Sequence, residues 1–255
     1  MTILSSVREV LGRRLATYLS KPIKENFHMS TCDPECLAAT IRKGDILLVE
    51  GVSRFSTAIK YITQSTWSHA TLCISNEKGQ ELLEADVLEG VRCVPLSTYA
   101  SWHTRICRPV GLSDEEIAAM LTFATDQIGH QYDLKHTFDL ARFLIQAPPV
   151  PIKMRRSLLA LGSGDPTKAI CSSLIARVFH SVNYPILPEL EINDKSNPAQ
   201  INYNKEYYHI RHHSLFAPRD FDISPYFQII KPTLEHGFDP HQFNWRHDVE
   251  DSLIK

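Results

Sequence analysis

The stretch from residue 44 to residue 110 constrains the fold most, because it is a series of short apolar segments separated by turn residues. The segments lie at 45–49, 69–74, 81–86, 91–95 and 104–108, with turn residues at 76–79 and 89–90. Segments of this length and spacing predict β-strands, while the helical pattern at 55–63 predicts a helix between the first two. We therefore predict an α+β fold with a small antiparallel sheet or barrel.

A helical pattern replaces the strand pattern in the middle of the chain. Ser113 and Glu116 have the spacing of a capping box, which predicts a helix from there to about Ile128. Apolar residues at helical spacing predict two more helices, at 134–145 and 171–182. The central part of the sheet should therefore pack against helices that follow it in the sequence.

The chain divides into three predicted regions. Residues 1–42 form an N-terminal amphipathic helix, over 3–19, and a linker. Residues 43–183 form the central domain, with an insertion at 146–168 that is rich in proline and glycine. Residues 184–255 form a C-terminal extension that packs on the same domain. The N-terminal helix carries arginines, a composition that permits peripheral membrane contact, although docking on the rest of the fold is the favoured interpretation.

Composition limits the classes of partner and the compartment. The formal net charge of −2 gives no electrostatic reason to expect nucleic acid. No apolar run approaches the roughly 20 residues of a transmembrane helix, and the N-terminus lacks the pattern of a signal peptide. Six cysteines in 255 residues are too few for a disulfide scaffold. We expect a cytoplasmic protein; the oligomeric state is not predicted.

One predicted hairpin places a histidine beside acidic residues. Strand alternation puts His69 on the same face as Glu84 and Asp86. A turn centred on residues 76 and 77 sets His69 opposite Glu84, whereas a turn centred on 77 and 78 sets it opposite Asp86. Either carboxylate could orient the imidazole. Such a pair alone is more often structural than catalytic.

Cys171 lies at the start of a predicted helix. A helix N-terminus favours negative charge and lowers the pKa of a cysteine there, and a neighbouring histidine would lower it further. An activated thiolate of this kind is a nucleophile. Taken alone, a free cysteine is more often a small buried apolar residue.

Five short motifs, taken in their order along the chain, favour a catalytic role for His69 and Cys171 over a structural one. They are Gly-Asp-Ile-Leu at 44–47, Trp-Ser-His-Ala at 67–70, Leu-Glu-Ala at 83–85 with Gly-Val at 90–91, Gly-His-Gln-Tyr-Asp at 129–133 and Cys-Ser-Ser-Leu-Ile at 171–175. Together they resemble the circularly permuted NlpC-type papain-like cysteine hydrolases, and within these the YiiX/YebB-like branch. The histidine precedes the cysteine by about a hundred residues, as the permuted order requires. The resemblance covers roughly 43–183, and segments at 217–221 and 224–227 also resemble this branch.

The resemblance implies a role for each matching residue. Cys171 would be the nucleophile, His69 the general base, Glu84 the residue that orients the imidazole (with Asp86 in reserve), and Tyr132 a substrate contact. The implied fold is a permuted papain-like sheet packed against the cysteine helix. The implied activity is hydrolysis of an amide or ester through a thioester, without a cofactor. An acyltransferase using the same intermediate, and a binding module without turnover, are the alternatives; a small peptide, amide or lipid acyl group would be the substrate.

No metal site is predicted. Cys32 and Cys36 are spaced like two ligands, but no second pair of suitable spacing accompanies them. The histidines at 209, 212 and 213 lack a supporting carboxylate, so we interpret them as surface or packing residues.

Overall fold

The computed structural model describes residues 17–18, 21, 32–75, 81–86, 89–130, 170–191, 207–209 and 211–242. The insertion predicted at 146–168, the helix predicted at 134–145 and most of the helix predicted at 3–19 lie outside the described residues. The three-region division of the chain therefore stays a prediction.

The described residues form a mixture of strands and helices that follows the predicted order. The strands are β1 (Ile46–Val49), β2 (His69–Cys73), β3 (Glu81–Asp86), β4 (Gly90–Pro95), β5 (Thr104–Pro109), β6 (Glu189–Glu191), β7 (Tyr207–His209) and β8 (Phe227–Ile230). The α-helices are α1 (Pro34–Thr40), α2 (Arg54–Thr63), α3 (Asp114–Thr125), α4 (Ile170–His180), α5 (Pro218–Asp222) and α6 (Pro232–Glu235). Short 3₁₀ turns occur at Leu96–Thr98, His213–Leu215 and Pro240–Gln242.

Six of these strands form one open antiparallel sheet, in the order β4-β3-β2-β1-β5-β8, and β6 pairs with β7 separately. The predicted α+β class with an antiparallel sheet is thus confirmed, and the sheet is open. Strand β8 was not predicted, because a four-residue segment with one exposed position gives little alternation signal. It lies at the edge of the sheet and pairs Ile230 with Ile106 of β5.

Strand alternation creates two hydrophobic cores, one on each face of the sheet. The core on one face combines alternate residues of β1, β2 and β3 with the apolar stripe of α4, including Leu174 and Phe179. The other face carries the remaining strand residues, including Cys73 and Leu82, and packs on Leu37 of α1. Helix α4 contacts β2, β3 and α3, so its position relative to the sheet is set by buried apolar contacts.

The chain that enters β2 is held in place by helix α2 and by polar contacts. Ser53 caps the N-terminus of α2, and Gln64 ends the helix in the left-handed conformation, with φ 51°. The hydroxyl of Ser68 then accepts a hydrogen bond of 2.9 Å from the backbone N–H of Gly51. A side chain at Gly51 would clash with the hydroxyl groups of Ser56 and Ser68. Glycine therefore permits the backbone to lie close to both serines. The position of the first residue of β2 is fixed as a result.

A buried ion pair joins the start of β1 to β5. Asp45 is 1% exposed, and its carboxylate accepts hydrogen bonds from Arg108 Nε at 2.9 Å and from Arg108 Nη2 at 2.7 Å. The same arginine donates to the carbonyl of Thr40 at 2.8 Å, at the end of α1. Burial raises the pKa of Asp45 in spite of Arg108 and the N–H of Arg42, so the carboxylate depends on these donors.

We predict that Arg108→Met lowers the free energy of unfolding by about 3–5 kcal/mol, because it leaves a buried carboxylate without its partner. Urea denaturation followed by circular dichroism measures this loss. The double variant Asp45→Asn/Arg108→Met should regain part of it, since an amide can still accept from Arg42 and carries no charge. A double variant less stable than Arg108→Met alone would contradict this explanation.

Candidate active site

Cys171 lies in the first turn of α4, one residue after the helix begins. Its side chain is 5% exposed, and the following turns of the helix are anchored in the core by Leu174 and Val178. The first N–H groups of a helix have no partner within the helix and carry its positive dipole end. The backbone around Cys171 therefore favours a negative charge on the sulfur.

The cysteine lies where strands β2 and β3 separate. Their pairing consists of Leu72 with Leu83 and Cys73 with Leu82, and it does not continue to the start of β2. The backbone N–H of Ala70, one residue into β2, instead donates a hydrogen bond to the sulfur of Cys171. Cys171 thus occupies the place that a continued strand pair would fill.

His69, the first residue of β2, links the cysteine to an acid. Its ring forms a hydrogen bond with Cys171, and its Nε2 lies 2.9 Å from Oε2 of Glu84. The ring is 22% exposed, whereas the Glu84 side chain is only 2% exposed. With Nε2 directed at the carboxylate, Nδ1 is the nitrogen available to the sulfur. His69 therefore contacts both of the other residues predicted to form the catalytic set.

The contact between His69 and Glu84 is diagonal across the two strands. Continuing the observed β2–β3 register would place His69 opposite Asp86, as in one of the two predicted alternatives. The strands diverge before that position, however, and the imidazole reaches Glu84 instead. Asp86 lies near Arg92, with 3.9 Å between its Oδ2 and Nη2 of the arginine.

Glu84 also forms hydrogen bonds with two residues, Arg92 and Tyr99, that were not predicted to belong to the site. Arg92 on β4, directly opposite Glu84 in the register, donates from Nε to Oε1 at 2.9 Å. The hydroxyl of Tyr99 donates to Oε2, the oxygen that also faces His69. Strand alternation could have indicated Arg92, whose position depends only on the β3–β4 turn. No local pattern indicates Tyr99, which follows a 3₁₀ turn after β4.

Opposite pKa shifts indicate an ion pair between Cys171 and His69. Burial raises the pKa of the Cys171 thiol, but the charge and hydrogen bond of His69 outweigh it, so the net pKa is lowered. Burial lowers the pKa of His69, and the charges and hydrogen bonds of Cys171 and Glu84 reverse this and raise it to about 10. Both shifts favour thiolate and imidazolium together.

The carboxylate of Glu84 is the stable negative partner in this arrangement. Burial raises its pKa, while the hydrogen bonds and charges of His69, Tyr99 and Arg92 lower it to about 2. Burial and the adjacent carboxylate raise the pKa of Tyr99, so its phenol stays protonated and donates. Glu84 is therefore ionised across the whole range in which His69 can titrate.

The remaining predicted site residues do not join this group. Tyr132 lies outside the described residues, so its role as a substrate contact stays a prediction. Within the ranges that the structure describes, no group of three or more His, Cys, Asp or Glu side chains could hold a metal ion. In those same ranges no helix has both the length and the apolarity to cross a membrane.

Comparison with known proteins gives one family and a set of solved structures. Residues 40–142 match the family described as permuted papain-like amidase enzyme, YaeF/YiiX, C92. The chain is thus similar to the permuted papain-like amidases of the YiiX type. This confirms the resemblance seen in the sequence motifs. The match includes His69, Glu84 and Tyr132 and ends before Cys171, so the position of the cysteine beside them comes from the structure.

Five chains of solved structures also match this chain. One is the crystal structure of the metalloprotein yiiX from Escherichia coli O157:H7, which is 19% identical in sequence. The alignment covers 74% of this chain and 96% of that chain, with a TM-score of 0.46. No curated protein matches.

We predict that Cys171 reacts with iodoacetamide at a lower pH than an ordinary thiol, whose pKa is about 8.5. The lowered pKa increases the thiolate fraction at a given pH, and His69→Ala should reduce the rate at pH 6 by at least about tenfold. Mass spectrometry of the peptide containing Cys171 measures the rate. Cys73 provides an internal control, since burial raises its pKa to about 12. Equal rates at Cys171 in both proteins would contradict the ion pair.

Replacing Glu84 and Asp86 in turn tests which of the two carboxylates acts on His69. Glu84→Gln removes the charge that raises the pKa of His69, so the imidazolium and the Cys171 thiolate are both less favoured. We expect the alkylation of Cys171 at pH 6 to slow by about tenfold, the effect of losing about 1.4 kcal/mol. Asp86→Asn, the matched control, should change the rate little. The reverse order of effects would assign the orienting role to Asp86.

Proposed function

We propose that this chain is a cysteine hydrolase that cleaves an amide or ester bond through a thioester intermediate. The observation that supports the proposal is the continuous contact from Cys171 through His69 to the buried carboxylate of Glu84. A nucleophile, a base and a group that orients the base are the parts that acyl transfer requires. Similarity to the permuted papain-like amidases agrees with this reaction class.

Acylation begins with attack of the Cys171 thiolate on the substrate carbonyl carbon. The sulfur–carbon bond forms as the carbonyl π electrons move to oxygen, giving a tetrahedral oxyanion. The backbone N–H of Cys171 lies in the first turn of α4, where N–H groups have no partner within the helix, and we assign it as a donor to this oxyanion. The charge and hydrogen bond of His69 lower the pKa of the Cys171 thiol and so favour the thiolate, the form that attacks.

His69 then completes the first half of the reaction. The imidazolium gives its proton to the leaving nitrogen or oxygen as the bond to the carbonyl carbon breaks, which leaves an acyl thioester on Cys171. The neutral imidazole next takes a proton from water, and the resulting hydroxide attacks the thioester. The carboxylic acid departs and the thiolate is restored. Transfer to an acceptor other than water would follow the same route.

Glu84 acts on this cycle through His69. Its hydrogen bond to Nε2 holds the imidazole in one orientation and one tautomer, with Nδ1 directed at the sulfur. The hydroxyl of Tyr99 and the guanidinium of Arg92 fix the carboxylate in turn. We infer that both are positioning residues, since each donates a hydrogen bond to Glu84 and neither has a described hydrogen bond to the sulfur.

The pKa directions predict the pH dependence of turnover. Activity should be lost on the acidic side as the Cys171 thiolate is protonated, at a pH below the ordinary thiol value. On the alkaline side it should be lost as the imidazolium deprotonates, and the raised pKa of His69 places this loss near pH 10. The range of activity is therefore expected to extend further in both directions than that of an unpaired cysteine and histidine.

The proposal predicts a covalent acyl-enzyme on Cys171. After brief exposure to p-nitrophenyl acetate at neutral pH and acid quenching, the intact protein should carry one acetyl group, and fragmentation should place it on Cys171. Cys171→Ala should lose the adduct, whereas Cys73→Ala should keep it because that buried thiol is unreactive. An adduct that persists in Cys171→Ala would refute this assignment, and folded wild-type protein without any adduct would favour a binding module without turnover.

A further inference from the structure

A polar cavity of about 590 Å³ lies at the end of the sheet where β1 ends and β2 and β5 begin. Side chains from α2, from α5 and from the residues flanking these strands form its wall. The charged members are the cations Lys60, Arg105 and Arg219 and the carboxylates Glu50 and Asp222. The formal charge of the lining is therefore positive, in a chain whose net charge is −2.

Protein donors already occupy both oxygens of the first carboxylate. Glu50 Oε1 accepts from Lys60 Nζ at 3.0 Å, and Oε2 lies 2.8 Å from Nδ1 of His103. Burial raises the pKa of Glu50, but the hydrogen bonds and charges of His103 and Lys60 together outweigh it and lower the pKa, so Glu50 stays ionised at neutral pH. Glu50 is consequently neutralised within the wall of the cavity.

The second carboxylate is satisfied in the same way. Asp222 Oδ1 accepts from Arg105 Nη1 at 2.7 Å, and Oδ2 accepts from the indole Nε1 of Trp67 at 3.0 Å. The guanidinium of Arg105 also lies over the Trp67 ring, 5.0 Å from its centre. The acidic acceptors of the cavity are thus engaged before any ligand enters.

The donors of the cavity are in excess. Arg219 donates from Nη1 to the carbonyl of Thr63 at 3.0 Å, and within the part of the chain that the structure describes it has no carboxylate partner. A guanidinium has five N–H groups and an ammonium three, so Arg219, Arg105 and Lys60 each keep donors beyond their described bonds. A ligand that fits this wall must supply acceptors and negative charge.

We propose that this cavity is a binding site for an oxyanionic group, a carboxylate or a phosphate, of a small molecule. Arg219 supplies the charge that the wall does not neutralise, in a planar fork suited to two oxygens of one group. Arg105 and Lys60, held in place by their acidic partners, line the same space.

The cavity lies at the same end of the sheet as the histidine of the proposed hydrolase. Val49 is paired with both His69 and Thr104, and Glu50 directly follows Val49. The wall therefore begins one strand away from His69, at the same end of the sheet. Binding itself requires neither Cys171 nor turnover, so it can be tested independently of the hydrolase.

The test is a titration of the ¹⁵N-labelled full chain with sodium phosphate and, separately, sodium benzoate at neutral pH. The indole N–H signal of Trp67, which lines the cavity, should shift saturably with at least one of the two salts at constant ionic strength held by sodium chloride. A response to phosphate alone assigns phosphate-bearing ligands; a response to benzoate assigns carboxylates. The absence of any saturable shift with either salt would overturn the proposal.

Variants separate binding in the cavity from general attraction of anions. Arg219→Gln should raise the Kd at least about fivefold. The Kd of Arg219→Lys should lie between those of the wild type and Arg219→Gln, because lysine keeps the charge but loses the two parallel N–H donors of the guanidinium. Lys43→Gln removes one exposed positive charge at the opposite end of β1 and should leave the Kd unchanged. An unaltered Kd in folded Arg219→Gln, with the other indole signals in place, would also overturn the proposal.

Discussion

The separation of β2 from β3 at the start of β2 is the feature on which the candidate site depends. If the strands stayed paired to Asp86, the N–H of Ala70 would bond to β3 and leave no place for a sulfur beside His69. Because they diverge, this N–H meets Cys171, which comes from a helix on one face of the sheet. His69 and Glu84 belong by alternation to the opposite face, and the three meet at the opening.

The partners of the buried Glu84 carboxylate determine which protonation states are favoured at His69 and Cys171. A carboxylate as buried as Glu84 would be costly if unpaired, and its donors are a histidine, an arginine and a tyrosine. The first of these is also the partner of Cys171. The stability of the ionised carboxylate is thereby coupled to the protonation of His69, and through it to the thiolate. The group that satisfies the buried carboxylate of Glu84 is the same group that pairs with the sulfur of Cys171.

Local patterns were sufficient to predict most of the sheet and to place His69 on the same face as Glu84 and Asp86, whereas the pairing of Cys171 with His69 was expected only from the family resemblance. Alternation assigned the faces of β2 and β3, and the capping box at Ser113 located the start of α3. The choice between Glu84 and Asp86 was beyond such patterns, since the register predicts one acid and the divergence of the strands selects the other. Tyr99 and β8 were missed because only tertiary packing places them.

The cavity and the candidate site lie at the same end of the sheet but differ in charge balance. Around Cys171, the sulfur faces His69, and the carboxylate of Glu84 faces both His69 and Arg92, so each of these two buried acidic groups has a cationic partner within the protein. In the cavity the carboxylates are engaged by protein donors, while Arg219 lacks an acidic partner among the described residues. Protein partners around Glu84 suit a carboxylate that stays in one protonation state. In the cavity, donors without an acidic partner suit a surface that exchanges water for a charged ligand.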